Sequence, residues 1–232
     1  VADLEYGHDA VACTTGMAAI ACVGELFAPG DHVIHSADLY GGSIRYFRTV
    51  MAKNGVAFDA VDTNDLAEVE ALITPRTKAV FVETPTNPMM HVTDVAAVAA
   101  LAKTHGLLTI VDNTFLSPYF MNPLRLGANI VVHSGTKYLG GHNDSLAGFV
   151  IVDSAELAER IRAIFGSVGY AIGPFDAWLQ IRGIKTLALR MESSQSNALT
   201  IAQWLRTQPK VSAVHFVGLP DHPDYAVSAR SE

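Results

Sequence analysis

Cysteine is scarce in this chain, whose 232 residues include only Cys13 and Cys22. Two thiols are too few for the disulfide framework that stabilises small secreted domains, which favours a reducing compartment. The first residues lack the basic segment followed by an apolar one that marks a secretory signal. The most apolar stretch, residues 95–102, is far shorter than the roughly 20 residues that span a bilayer. We therefore expect a soluble cytoplasmic protein with no membrane partner.

Runs of basic residues are also missing. The net charge is −7 and charges of both signs are mixed along the chain, so neither a nucleic-acid-binding stripe nor a long charged tail is indicated. The nine histidines do not fall into metal-ligand spacing, because His133 and His142 have no cysteine or glutamate nearby in the sequence. We predict neither a nucleic-acid partner nor a metal site.

Apolar runs that alternate with helical patterns are what the chain does contain. Half of the residues are apolar, and the alternation predicts an α/β fold with a mainly parallel sheet and helices on both faces. Strands are predicted at residues 10–13, 32–35, 56–61, 79–82, 107–111, 130–132, 147–152 and 211–217, the last as the first strand of a second domain. Helices are predicted at 17–27, 43–53, 65–73, 93–105 with Thr93 as N-cap, 156–165, and 175–205 with Gly183 as a weak point.

Polar residues follow five of the predicted strands. They lie at residues 14–16, 38–42, 83–88, 112–114 and 134–137. The carboxyl ends of parallel strands meet at one edge of an open α/β sheet, which is where such sheets bind ligands. We therefore expect these residues to form one site, and their agreement is stronger evidence than any single motif.

A lysine, Lys137, lies in the polar turn after residues 130–132. Ser134 and Thr136 are spaced to hydrogen-bond an anionic oxygen beside its amine, so the group could anchor a phosphorylated aldehyde. A surface lysine after a loop explains this stretch equally well. Residues 15–17 open a helix whose first N–H groups would favour a phosphate, although an ordinary threonine cap is the simpler interpretation.

Asp112 ends an all-apolar strand, and an unpaired buried carboxylate is costly. It requires a positive partner, and a protonated pyridine nitrogen would suit, because the carboxylate keeps the ring electron-withdrawing. A turn cap is an equal alternative. Tyr40 could place its ring on a flat ligand, and Asn87, between two prolines, could donate to a phenolate oxygen. A half-buried turn tyrosine and ordinary turn chemistry are the alternatives.

As a set, these stretches resemble the Cys/Met-metabolism enzymes that depend on pyridoxal phosphate. That family includes cystathionine γ-synthase, cystathionine γ- and β-lyases, O-acylhomoserine sulfhydrylase and methionine γ-lyase. The matching stretches are collinear and cover most of the chain: residues 15–20, 40–43, 83–88, 111–115, 134–138 and 179–192. The resemblance implies a fold-type-I transferase-like architecture. Residues 1–188 would form the cofactor-binding large domain, and residues 189–232 a linker helix with the start of a truncated C-terminal α/β domain.

The resemblance also implies roles for individual residues. Lys137 would carry pyridoxal phosphate and act as the base, for which we expect it to be buried, and Tyr40 would be the second catalytic residue, stacked on the ring. Asp112 would pair with the pyridine nitrogen, and Asn87 would lie near the phenolic oxygen and the substrate carboxylate. The other implied cofactor contacts are the phosphate cradle of Gly16, Met17, Ser134 and Thr136, together with Thr114.

The implied reaction is γ-elimination or γ-replacement on a small amino-acid substrate, either a sulfur amino acid or O-acylhomoserine. Cystathionine γ-synthase and γ-lyase are the nearest members; cystathionine β-lyase and O-acylhomoserine sulfhydrylase are alternatives. Methionine γ-lyases carry cysteine at the position of Gly42, which weighs against that member. Family members are usually homotetramers, dimers of dimers that share active sites. The family's N-terminal phosphate-binding Tyr and Arg and its C-terminal substrate-binding arginine have no match here, so a non-catalytic cofactor-binding fragment is the alternative from another class.

Overall fold

The protein, described here from a computed structural model for residues 1–231, is built on one seven-stranded sheet. The strands are β1 (Asp9–Cys13), β2 (His32–Ser36), β3 (Ala57–Val61), β4 (Thr77–Glu83), β5 (Leu108–Asp112), β6 (Ile130–Ser134) and β7 (Gly148–Val152). Their order in the sheet is β1-β7-β6-β5-β4-β2-β3. β7 is antiparallel to both of its neighbours, and all other pairings are parallel. Two reversals around β7 give β1 the same direction as β2 to β6, which confirms the predicted mainly parallel sheet.

Helices cover both faces of this sheet. They are α1 (Ala2–Glu5), α2 (Gly16–Gly24), α3 (Gly41–Tyr46), α4 (Leu66–Ala71), α5 (Val95–Thr104), α6 (Ser117–Phe120), α7 (Ala155–Val168), α8 (Pro174–Ile184), α9 (Leu187–Leu205) and α10 (Tyr225–Ser231). A π-helical segment, Phe47–Met51, continues α3, and a 3₁₀ turn, Pro123–Leu126, follows α6. None of the described helices combines the length and the hydropathy that crossing a bilayer requires.

The alternation of side chains along each strand separates two apolar layers. On β5, Ile110 faces the layer that packs against α2, α3 and α7, whereas Val111 faces the opposite side. On β6, Val131 packs instead with Leu187 and Met191 of α9. Because successive residues alternate, Asp112 follows Ile110 on the α2 side of the sheet. The core thereby fixes the face on which the polar strand ends emerge.

The cap of α5 differs from the prediction. The side chain of Asp94, not Thr93, accepts the N–H of Ala97 at 3.0 Å. The Thr93 hydroxyl is instead 2.6 Å from that of Thr63. Adjacent residues that both make good caps cannot be ranked from sequence, and here the tertiary contact decides.

The predicted long helix over residues 175–205 is two helices, α8 and α9, separated at Lys185 and Thr186. A Cβ on Gly183 would lie 2.1 Å from the carbonyl oxygen of Gly140, so the end of α8 packs directly on another segment of backbone. Residues 211–217, predicted as a strand, have no strand structure and pair with no strand among residues 1–231. An isolated extended segment has no ladder partner for its N–H and C=O groups.

Candidate functional site

One cavity of about 260 Å³ opens at the edge where β1, β2, β4, β5 and β6 end. All nine cofactor contacts expected from the sequence line it: Gly16, Met17, Tyr40, Asn87, Asp112, Thr114, Ser134, Thr136 and Lys137. The strand ends thus converge as the sequence pattern predicts. Which of these side chains hold a cofactor stays a prediction.

At one end of the cavity the first turn of α2 lies against the end of β6. The Thr15 hydroxyl caps the helix by accepting the N–H of Ala18 at 3.0 Å, whereas the first amides of a helix have no acceptor within it. A Cβ on Gly16 would lie 2.8 Å from Cβ and 3.0 Å from Cα of Ser134. Only glycine therefore permits this approach, which brings helix amides beside the Ser134 hydroxyl in an arrangement suited to an anion.

Asp112 lies at the end of β5 and is 8% exposed. The Thr114 hydroxyl donates to Asp112 Oδ1 at 2.5 Å and accepts the N–H of Ser134 at 2.8 Å, so it joins the ends of β5 and β6. Burial raises the pKa of the Asp112 carboxyl, against the hydrogen bonds from Thr114 and the nearby His133. Among the described residues no lysine or arginine pairs with Asp112. A cationic group entering the cavity would supply the missing partner.

A second buried carboxylate, Glu83, lines the same cavity, although the sequence pattern indicated no role for it. The β4–β5 register sets Glu83 beside Asp112, and Glu83 is 7% exposed. Burial, and then the charge of Asp112, raises the pKa of Glu83 to about 8. The signal was present in the sequence, because Glu83 ends an apolar strand just as Asp112 does.

Tyr40 lies at the mouth of the cavity with 47% of its surface exposed. A Cβ on Gly42 would lie 2.3 Å from Cε1 of the Tyr40 ring and 3.0 Å from the Met17 sulfur. The ring therefore lies over Gly42 and next to Met17. Its exposed surface can cover a planar ligand in the cavity.

Lys137 lines the cavity but its side chain is exposed, so the expectation of a buried lysine was wrong. The residue lies in a turn in which the Lys137 N–H donates to Ser134 O at 3.1 Å and the Gly141 N–H donates to Lys137 O at 2.7 Å. This turn runs along the open side of the cavity, beyond the end of β6. The amine is therefore accessible to a ligand that enters from solvent.

Arg190 of α9 binds the turn that contains Lys137, here called the lysine turn (residues 134–141). Its Nη1 donates to Tyr138 O at 2.6 Å, its Nη2 to Gly183 O at 2.9 Å, and its Nε to the Thr186 hydroxyl at 3.0 Å. No carboxylate pairs with Arg190 within residues 1–231. The guanidinium thus joins the lysine turn to the break between α8 and α9, a role that the sequence pattern did not indicate.

A second buried pair lies beside the cavity. His133 Nε2 is 2.6 Å from Oε1 of Glu5, and both residues are at most 1% exposed. The Asn113 side chain donates to the same Glu5 oxygen at 2.9 Å. This network ties α1 to the ends of β5 and β6.

The groups that line this cavity can bind different parts of one ligand. The start of α2 and Ser134 can accept an anion, Asp112 can pair with a cation, and Lys137 can form a covalent bond with an aldehyde. Pyridoxal phosphate carries a phosphate, a basic ring nitrogen and an aldehyde, so the donor set fits it.

Comparison with known proteins agrees with this chemistry. The family model for Cys/Met metabolism PLP-dependent enzymes matches residues 1–232. A cystathionine β-lyase of Lactococcus lactis subsp. cremoris (strain MG1363) is 46% identical over 230 residues, which are 99% of this chain and 60% of the relative. A cystathionine γ-synthase/O-acetylhomoserine (thiol)-lyase of Bacillus subtilis (strain 168) is 49% identical over 218 residues, 94% of this chain and 58% of the relative.

A solved structure is equally similar. The crystal structure of cystathionine γ-lyase from Lactobacillus plantarum, complexed with L-serine, superposes with a TM-score of 0.98 at 47% sequence identity. The match covers 99% of this chain and 60% of that one. The chain therefore spans about three fifths of the length of these relatives. Fold, sequence and site agree, and the chain belongs to the family of Cys/Met metabolism PLP-dependent enzymes.

Proposed function

We propose that this chain holds pyridoxal phosphate in the cavity at the strand ends, with Lys137 as its covalent anchor. The observation that carries the proposal is that one cavity is lined by an accessible amine, a buried carboxylate and a glycine-permitted anion cradle. No described lysine or arginine pairs with that carboxylate. Gly16, Met17, Ser134 and Thr136 would hold the phosphate, and Asp112, supported by Thr114, would hold the ring nitrogen.

The positions of the other lining residues support the roles that we propose for them. When bound, pyridoxal phosphate supplies an electron-withdrawing ring that takes up the electron pair left when a bond at Cα of an amino acid breaks. Asp112 would favour the protonated ring nitrogen, because a buried carboxylate stabilises a neighbouring cation. With the cofactor bound, Lys137 Nζ would act as the base that removes the Cα proton of the substrate, and it would return that proton later in the reaction. Tyr40 would cover the ring, and Asn87 would contact the phenolic oxygen and the substrate carboxylate.

The reaction that we propose is γ-elimination or γ-replacement on a sulfur amino acid or O-acylhomoserine. Relatives named for γ-cleavage, for γ-replacement and for β-cleavage are 46–49% identical to this chain. This spread supports the reaction class and leaves cystathionine β-lyase and O-acylhomoserine sulfhydrylase as alternatives. We further propose a cytoplasmic homotetramer, a dimer of dimers with shared active sites, in which residues 189–232 form the linker helix and the start of the C-terminal domain.

A non-catalytic cofactor-binding role is the second candidate. The observation that favours it is that none of the described residues lining the cavity is an arginine that could bind a substrate carboxylate. Turnover of an amino-acid substrate by the 232-residue chain would eliminate this candidate. Cofactor binding without turnover would support it.

The anchor is tested by titrating the purified protein with pyridoxal phosphate. We expect a visible absorption band that borohydride abolishes, with the reduced cofactor attached to Lys137 by peptide mass analysis. Lys137→Ala should remove the band. Lys185→Ala, which alters an exposed lysine outside the cavity, is the control and should leave it unchanged.

The bond that is cleaved is tested with cystathionine. γ-Cleavage gives cysteine, 2-oxobutanoate and ammonia, whereas β-cleavage gives homocysteine, pyruvate and ammonia. γ-Replacement is tested with O-acylhomoserine and cysteine, which give cystathionine and the released carboxylate. We expect 2-oxobutanoate or cystathionine, and pyruvate as the only keto acid would overturn the γ assignment.

A further inference from the structure

Glu83 is placed between the two loops that carry Tyr40 and Asn87. It ends β4, which lies between β5 and β2 in the sheet. Tyr40 follows β2, and Asn87 follows β4 itself. Each of these loops sends one backbone N–H toward the same carboxylate, although Tyr40 and Glu83 are 43 residues apart.

The two hydrogen bonds use both carboxylate oxygens. Glu83 Oε2 accepts the N–H of Tyr40 at 2.8 Å, and Oε1 accepts the N–H of Asn87 at 3.2 Å. We propose that Glu83 is a positioning residue. It holds Tyr40 and Asn87 at the cavity, so that both can contact the bound cofactor. The proposal rests on the proposed binding of pyridoxal phosphate and adds the residue that orders two of its contacts.

Substitution chemistry explains why glutamate suits this position. Glutamine has the same length but offers one oxygen acceptor, so its NH₂ group would face one of the two backbone donors. Aspartate keeps two acceptors but is one methylene shorter, so it cannot reach both loops without a shift of backbone. Only a carboxylate at this reach satisfies both N–H groups, and a buried N–H left without an acceptor is unfavourable.

The neighbouring Asp112 is compatible with this role. Two adjacent buried carboxylates do not ionise independently, and the pKa of Glu83 is raised to about 8 by burial and by Asp112. Burial raises the pKa of both carboxyl groups, and a proton on Glu83 would relieve the repulsion between them. Glu83 still offers an oxygen lone pair to each loop, because each carboxyl oxygen has two.

The test compares wild type with Glu83→Gln and Glu83→Asp, and uses Glu159→Gln on the surface of α7 as the control. For Glu83→Gln we expect pyridoxal phosphate to bind about 10-fold or more weakly. We also expect lower circular dichroism in the cofactor absorption band, because the ring is held less rigidly. Borohydride should still attach the cofactor to Lys137, because the amine is untouched. Binding within twofold of wild type, with unchanged dichroism, would overturn the proposal.

Amide hydrogen exchange of the cofactor-free protein provides an independent measurement. The N–H groups of Tyr40 and Asn87 should both be protected in wild type, and at least one should exchange about 10-fold faster in Glu83→Asp, a variant that retains the carboxyl group but is one methylene shorter. If Glu83→Gln does not fold, amide exchange in Glu83→Asp tests the positioning role by itself. Equal exchange in both proteins would contradict the positioning role. Failure of wild type to take up pyridoxal phosphate would instead refute the proposed function, and the exchange result would stand separately.

Discussion

Replacement of Gly16 by alanine tests the anion cradle directly. The added Cβ would lie 2.8 Å from Cβ and 3.0 Å from Cα of Ser134. Ordinary carbon–carbon contacts are about 3.5–4.0 Å, and rotation of the serine hydroxyl does not relieve a contact with its backbone. The first turn of α2 must therefore retreat from β6 by roughly 0.5–1 Å.

The retreat has a calculable effect on an anion held between the two elements. Hydrogen bonds near 2.9 Å would lengthen beyond about 3.4 Å, where they are weak. Loss of one charge-assisted bond is worth about 1.5–3 kcal/mol, which corresponds to roughly 10- to 100-fold weaker binding of pyridoxal phosphate. Overpacking adds about 1–3 kcal/mol of lost stability.

The assay is titration with pyridoxal phosphate followed by absorbance, together with thermal unfolding of the cofactor-free protein. Gly166→Ala is the matched control, because Gly166 lies in α7 and a Cβ there would meet nothing within 4 Å. That variant should keep wild-type affinity and gain about 0.5–1 kcal/mol of stability. If Gly16→Ala binds pyridoxal phosphate as tightly as Gly166→Ala, the cradle is misassigned.

Three further predictions concern single side chains. Arg190→Gln should slow borohydride trapping of pyridoxal phosphate on Lys137 at least about threefold, because the two carbonyls that Arg190 binds lose their donor. The control, Arg182→Gln on the exposed face of α8, should trap at the wild-type rate. Equal rates for the two variants would argue against the role of Arg190 in holding the turn. Asp112→Asn should retain the cofactor but slow exchange of the substrate Cα proton in D₂O about 100-fold or more, and an unchanged exchange rate by NMR would exclude its pairing with the ring. The free energy of unfolding of the cofactor-free protein should decrease as the pH rises from about 5 to 8.5. The pKa of Glu83 is about 8 in the folded protein, against an ordinary value of 4.5, so the folded state binds more protons than the unfolded state in that window. Urea unfolding should show this loss in wild type and a smaller one in Glu83→Gln, and identical slopes would refute the assignment.

The sheet edge and its site were predictable because both follow from local rules. Apolar strands with polar ends place side chains such as Asp112 and Lys137 at one edge, whatever the details of packing. Strand positions depend on short apolar runs, and these were right to within one or two residues except at residues 211–217. A strand depends on a partner, and that segment has none among the described residues.

Other features of the site depend on tertiary contacts, which local sequence patterns do not indicate. The pairing of Glu5 with His133 joins residues 128 apart, and no local pattern indicates it. The acceptors of Arg190 are backbone carbonyls, and every residue has one. Glu83 could have been identified by the reasoning used for Asp112, since both end buried strands of the same sheet.

The way in which Arg190 is held has a consequence for acid tolerance. An ion pair opens when its carboxylate takes up a proton, as the surface pair of Arg162 with Asp9 must do in strong acid. The oxygens of Tyr138 and Gly183 are amide carbonyls, which do not titrate in the range where proteins remain folded, and a guanidinium stays charged there. The turn that carries Lys137 is thus held by hydrogen bonds that do not depend on pH. Lowering the pH should therefore protonate the carboxylates inside the cavity before it loosens this turn.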